Sequence, residues 1–299
     1  MGTLPEVKMK LSACLIVKNE KDHIKDVLSS LAGVDEIVVV DTGSQDNTVE
    51  LARGFTDKVF TDFPWVDDFA AARNHALSKC TGDWVISIDA DEVLEKGGVD
   101  KIRTLIEKAA PEQLHFSVLM KAKGSRQIHN LPRIMRNDGT VSWMGAAHET
   151  LTPVQANRTD VVITYGYSTA HTLDPDRMLR ILAKIVNGPS GTPRDLYYYA
   201  REYWYRRDYV QAERLFGEYI MIATWAPEKA DALLYQARCF FILQNGNRAR
   251  EVCTEAIVLN PDFKEALLFM AELHFEPWKH KWERLAEVAT NEDVLFKRV

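Results

Sequence analysis

Leu11-Ser12-Ala13-Cys14-Leu15-Ile16-Val17 runs straight into Lys18-Asn19-Glu20, and this stretch, with the helix and strand patterns immediately after it, decides the fold. Seven mostly apolar residues suit a buried strand. Ile24, Val27, Leu28 and Leu31 then fall at i, i+3, i+4 and i+7, one face of an amphipathic helix. A second apolar run, Ile37-Val38-Val39-Val40, ends on Asp41. Strand, helix, strand in that order predicts an α/β domain with a parallel sheet and a right-handed crossover.

Further along, Ile86-Ser87-Ile88-Asp89-Ala90-Asp91-Glu92 delivers three carboxylates within four residues at the exit of a third strand candidate. Ligands of parallel sheets bind beyond the carboxyl ends of the strands, where Asn19, Glu20, Asp41, Asp89 and Asp91 would gather. Two acids flanking one small residue suit Mg²⁺ or Mn²⁺, usually held by one or two carboxylates and shared with phosphates. The same triplet also reads as a solvated acidic turn.

Lys18-Asn19-Glu20, Val40 through Thr48, Trp65-Val66-Asp67-Asp68-Phe69, Ala72-Arg73-Asn74 and Gly82-Asp83-Trp84 through Glu92 together resemble the ordered signature of the family-2 glycosyltransferases. The resemblance covers roughly residues 10 to 150. It implies a GT-A nucleotide-sugar-binding domain, mostly parallel in its sheet, which we bound at residues 8–190. It also implies transfer, with inversion, from a nucleoside-diphosphate sugar, a UDP-sugar first, with Mn²⁺ or Mg²⁺ as cofactor. On that likeness the backbone near Val17, with Asn19, Glu20 and Asp41, holds the nucleoside, and Asp89-Ala90-Asp91 lines the donor. Asp89 tends toward ribose and metal-bound water, while Asp91 ligates the metal. Arg73 reaches the nucleotide or diphosphate, its forked donors matching phosphate oxygens, against the alternative of a surface ion pair.

Local patterns qualify these roles. Asp46 or Asn47 reads as a helix cap. Phe69, Ala72, Ala76, Leu77 and Cys80 mark an apolar helix face with Arg73 near its edge, and Glu92 caps or faces solvent. Leu131 through Asn137 resembles the family's arginine-bearing strand, and Trp143 through Glu149 its acceptor-side segment. Displacement at an anomeric carbon requires an acceptor hydroxyl to lose its proton, and a partly buried glutamate can be tuned for that. Glu149 is the candidate base, with His148 orienting it or touching the metal. A structural salt bridge is the alternative, and Asp67, Asp68 and His148 are the remaining base candidates. Relatives often carry a histidine before Tyr-Gly-Tyr; here Thr164 precedes Tyr165-Gly166-Tyr167, and His171 is the substitute candidate for metal ligation.

After the turn-rich Asn187-Gly188-Pro189-Ser190-Gly191-Thr192-Pro193 the pattern becomes helical without strands, so residues 191–299 read as a second, all-α domain. Pro193, Pro227 and Pro261 recur every 34 residues, the tetratricopeptide period. About two and a half repeats are visible. A free array needs more, so the tail is expected to lean on the first domain, with acceptor binding or homodimerisation as further roles.

The 299 residues, 46% hydrophobic with net charge −6, leave ample core and no basic field, which disfavours nonspecific nucleic-acid binding. No run of 18 apolar residues suggests an integral membrane segment and the first residues lack a secretory apolar region, so a cytoplasmic protein is expected. Cys14, Cys80, Cys239 and Cys253 lack metal-binding spacing and read as packing residues. Two other functions fit parts of the pattern. A sugar nucleotidyltransferase would need a glycine-rich phosphate loop near the N-terminus, and residues 10 to 20 contain no glycine. The other is a nucleotide-binding scaffold whose repeats recruit a partner.

Overall fold

The computed structural model describes residues 9–124, 128–155, 157–166, 174–189 and 191–295. Contacts divide the chain into residues 1–177 and 178–299. The division falls ahead of the turn-rich segment because the helix Arg177–Val186 lies almost wholly in the second unit.

In the first unit, β1 (Leu11–Val17) pairs in parallel with β2 (Glu36–Asp41) and with β4 (Trp84–Ser87). β3 (Val59–Phe60) extends β2 in the same direction. The sheet continues through β7 (Ile128–Arg136), β6 (His115–Ala122), β10 (Arg158–Tyr165) and β5 (Glu92–Leu94), in the order β3-β2-β1-β4-β7-β6-β10-β5. β7 and β5 run against the other six, so the sheet is mostly parallel. A separate antiparallel ribbon joins β8 (Ser142–Met144) to β9 (Thr150–Thr152).

Alternation along β1 sends its side chains to two cores. Leu11, Ala13, Leu15 and Val17 pack with α1 (Ile24–Ser30) and α4 (Gly98–Glu107), whereas Cys14 joins Val38, Val40, Val85 and α3 (Phe69–Ser78) on the other face. Covering both faces is what lets a parallel sheet be apolar throughout. Ile24, Val27, Leu28 and Leu31 are buried as their spacing predicts.

In the second unit the chain forms α5 (Arg177–Val186), then α6 (Pro193–Tyr205), α7 (Tyr209–Ile222), α8 (Ala226–Ile242), α9 (Gly246–Leu259), α10 (Lys264–Glu272) and α11 (Trp278–Val288). α6 to α11 make three helix pairs among the described residues, where the sequence pattern shows about two and a half. The 34-residue period reappears as contacts between equivalent positions: Arg194 bonds Glu228 and the Tyr197 hydroxyl donates to Asp231. Thr192 caps α6 through a reciprocal pair of bonds with Asp195, with Pro193 at the first turn. Tyr198, Phe216, Tyr235 and Phe269 are core, while Tyr203, Tyr209 and Phe240 are half-buried. All four cysteines are buried and free. No helix among the described residues is long and apolar enough to cross a membrane.

Candidate active site

The register Val17↔Asp41 across β1 and β2, with Cys14↔Ser87 across β1 and β4, brings three strand ends to one edge of the sheet. The loops leaving β1 and β2 clasp each other. Asn19, at φ 57°, donates its backbone N–H to Ser44 Oγ at 2.9 Å and accepts from the Gln45 N–H at 2.7 Å. That left-handed backbone is one asparagine tolerates. The Glu20 N–H donates to Thr48 Oγ1 at 2.7 Å, and the Thr42 N–H donates to the Val17 carbonyl at 2.9 Å. The Asp41 carboxylate accepts from the Gly43 and Ser44 N–H groups, each at 3.0 Å, which rigidifies the turn beneath the expected nucleoside position. Asn47 occupies the cap position of α2 (Thr48–Arg53) without a side-chain bond; Asp46 instead takes the Thr48 N–H at 3.0 Å.

Beyond β4 the chain crosses as Ile88-Asp89-Ala90-Asp91 and rejoins the sheet at its far edge as β5. The Gly166 N–H donates to the Asp91 carbonyl at 3.2 Å, fastening this crossing to the end of β10. Asp89 sits between two guanidinium groups: Oδ1 is 2.7 Å from Arg73 and Oδ2 is 3.0 Å from Arg133. Burial would raise the Asp89 pKa, but the two arginines outweigh it and hold the carboxyl well below the usual carboxylate range. Both Asp89 oxygens are thus engaged by arginines, on the carboxylate that the family resemblance turns toward ribose and metal-bound water.

Glu92 departs from its sequence reading. It is 4% exposed instead of facing solvent, bonded to Arg133 at 2.5 Å and to the Asp89 N–H at 2.9 Å. Burial pushes its pKa up to about 7, against the pull of Arg133. The protonated form is thus favoured by folding, a contribution full below pH 4.5 and lost as pH rises through 7. Relative to Glu92→Gln, the wild type is expected to lose stability as pH rises from about 4.5 through 7. Urea denaturation at a series of pH values measures this, and a difference flat with pH refutes it.

The helix pattern puts Arg73 near the edge of α3, and in the structure the residue is 5% exposed and engaged with protein acids. Nε donates to Glu149 at 2.6 Å and Nη2 pairs with Asp89 at 2.7 Å. Burial works against its charge, but Asp89 and Glu149 keep the guanidinium firmly protonated. Charge neutralisation by two acids is what allows an arginine into this interior.

The neighbouring Asn74 holds the ribbon that carries Glu149. Its amide donates to the Trp143 carbonyl at 2.9 Å and accepts from the Trp143 N–H at 2.8 Å, taking the place of a partner strand for β8. The Phe69 N–H at the start of α3 donates to the Ala146 carbonyl at 3.0 Å. Between the ribbon strands Gly145 and His148 adopt φ of 95° and 50°, turning the chain so that Glu149 meets Arg73. Asn74→Ala should cost about 1–3 kcal/mol by leaving the two Trp143 groups unpaired. A urea midpoint unchanged from wild type would refute that brace.

Of the other base candidates, Asp68 caps α3 by accepting from the Ala71 N–H at 2.8 Å, and Asp67 accepts from the Trp65 indole at 2.8 Å. His171 lies outside the described residues. Among the described residues no group of three or more His, Cys, Asp or Glu side chains could hold a metal. A divalent ion bound at the acidic triplet would need few protein ligands, because such an ion keeps waters and phosphate oxygens as its others. Arg133, placed against Asp89 and Glu92, is the main member missing from the sequence-derived site residues; its one signal is the resemblance of Leu131 through Asn137, which also holds Arg136, to the family's arginine-bearing strand.

Residues 12–166 match the family model described as glycosyl transferase family 2. A TPR repeat-containing protein of Synechococcus elongatus is 37% identical over 47% of this chain and 35% of its own length. The lipopolysaccharide core biosynthesis glycosyltransferase LpsC of Rhizobium meliloti is 30% identical over 49% of this chain and 58% of its own. The chain thus spans between a third and three fifths of the length of these relatives. Among solved structures, S. aureus TarS 1-349 in complex with UDP-GlcNAc covers 82% of this chain and 90% of its own, at 15% identity and a TM-score of 0.48.

Proposed function

Because the chain belongs to glycosyl transferase family 2, we propose that it moves a sugar from a nucleoside-diphosphate donor, a UDP-sugar first, to an acceptor nucleophile with inversion. The observation that carries this reading is the Glu149–Arg73–Asp89 chain of ion pairs, which sets a candidate proton acceptor beside the strand ends expected to hold the donor. Asp41 and Glu20 take the nucleoside in this proposal. Asp91 takes a Mg²⁺ or Mn²⁺ ion, which when bound neutralises charge on the departing nucleoside diphosphate.

Glu149 Oε1 is held by Arg73, and Oε2 accepts the acceptor's proton. The acceptor atom then bonds to the anomeric carbon as the bond from that carbon to the diphosphate oxygen breaks. One in-line displacement inverts the anomeric centre. Incubation with a panel of nucleotide sugars and Mn²⁺, followed by mass analysis of acceptors in a lysate of the source cells, tests the proposal. Consumption of one donor with a matching mass gain in an acceptor supports it. A protein that binds nucleotide but consumes no donor, with or without Mn²⁺, is the scaffold instead.

A further inference from the structure

We propose that Arg73 is a positioning residue that ties the acceptor-side Glu149 to the donor-side Asp89 and leaves one glutamate oxygen, Oε2, for the acceptor. The inference rests on the reading of Glu149 as base. Three nitrogens of the guanidinium each face a protein oxygen: Nε to Glu149 at 2.6 Å, Nη2 to Asp89 at 2.7 Å and Nη1 to Ser87 Oγ at 3.5 Å. The group also lies 5.1 Å from the centroid of the Trp143 ring, on the ribbon that carries Glu149.

A planar fork with donors at fixed angles can hold two carboxylates in a set relation; a lysine offers one point of charge on a flexible stem and cannot reproduce it. Arg73 on α3 and its two carboxylate partners, Asp89 on the crossing after β4 and Glu149 in the loop before β9, come from three places in the sequence. Arg133 fixes Asp89 from its other oxygen at 3.0 Å, so the anchor for Arg73 is itself held. Glu149, with Oε1 occupied, is restricted in rotation about its last bond, and Oε2 is held in one orientation. Catalysis gains from such restriction because a displacement of about 1 Å can cost 10²-fold in rate.

Arg73→Lys, Glu149→Gln and the double variant, compared with wild type in kcat, donor KM, acceptor KM and nucleotide affinity, test the assignment. Arg73→Lys is expected to lower kcat by about 10²-fold with nucleotide Kd unchanged. Since Arg73 acts through Glu149, the double variant is expected to match Glu149→Gln alone, a strong departure from additivity. Weakened nucleotide binding in Arg73→Lys, with losses that multiply in the double variant, would overturn the proposal and return Arg73 to the donor. Full transfer in Glu149→Gln would instead defeat the base reading on which it rests, so the two failures are distinguishable. If Arg73→Lys does not fold, Arg73→Gln assayed with added guanidinium replaces it; recovery of kcat at constant nucleotide Kd supports the proposal and no recovery overturns it.

Discussion

Asp91→Asn is expected to lower sugar transfer by about 10²–10³-fold while leaving the fold intact. The change removes a full negative charge with almost no change in volume, and it falls on the carboxylate to which the proposed function gives the cation. The deficit should appear in kcat and in the Mn²⁺ concentration needed for half-maximal rate. Thermal melting without metal should stay close to wild type. A variant with wild-type turnover would remove Asp91 from the metal role.

Glu149→Gln is expected to reduce transfer by about 10²–10⁴-fold with donor affinity retained, because the amide keeps the shape of the side chain and loses its basicity. A structural role forecasts something different. Arg73 is buried, and weakening one of its two ion pairs would lower the melting temperature and disturb Asp89, so donor binding would fall together with stability. Measuring nucleotide-sugar affinity, melting temperature and transfer rate on the one variant separates the two. Unimpaired transfer would move the search for the base to Asp67, Asp68 or His148; Asp67 accepts from the Trp65 indole and Asp68 caps the first turn of α3.

What the structure adds to the site lies mainly in how charges are shared. The sequence sets Asp89, Asp91 and Glu92 close together without saying what each carboxylate meets. Tertiary contacts fix Asp89 between guanidinium groups and bury Glu92 behind it. Ala72-Arg73-Asn74 is legible as a motif, but its purpose is not. Asn74 braces β8 and Arg73 meets Glu149, 76 residues further along the chain.

The elements were legible from the amino acids alone: the apolar runs of β1, β2 and β4, the helix face Ile24, Val27, Leu28 and Leu31, the carboxylates at the strand ends and the 34-residue period of the helical tail. These arise from side-chain periodicity and turn chemistry, which act over a few residues. Long-range packing is what makes Arg73 interior, has Arg133 share Asp89 with it and buries Glu92 away from solvent. A charged side chain has no periodicity that foretells its burial. It enters the interior only where oppositely charged partners, brought from distant parts of the chain by strand order, offset the loss of hydration.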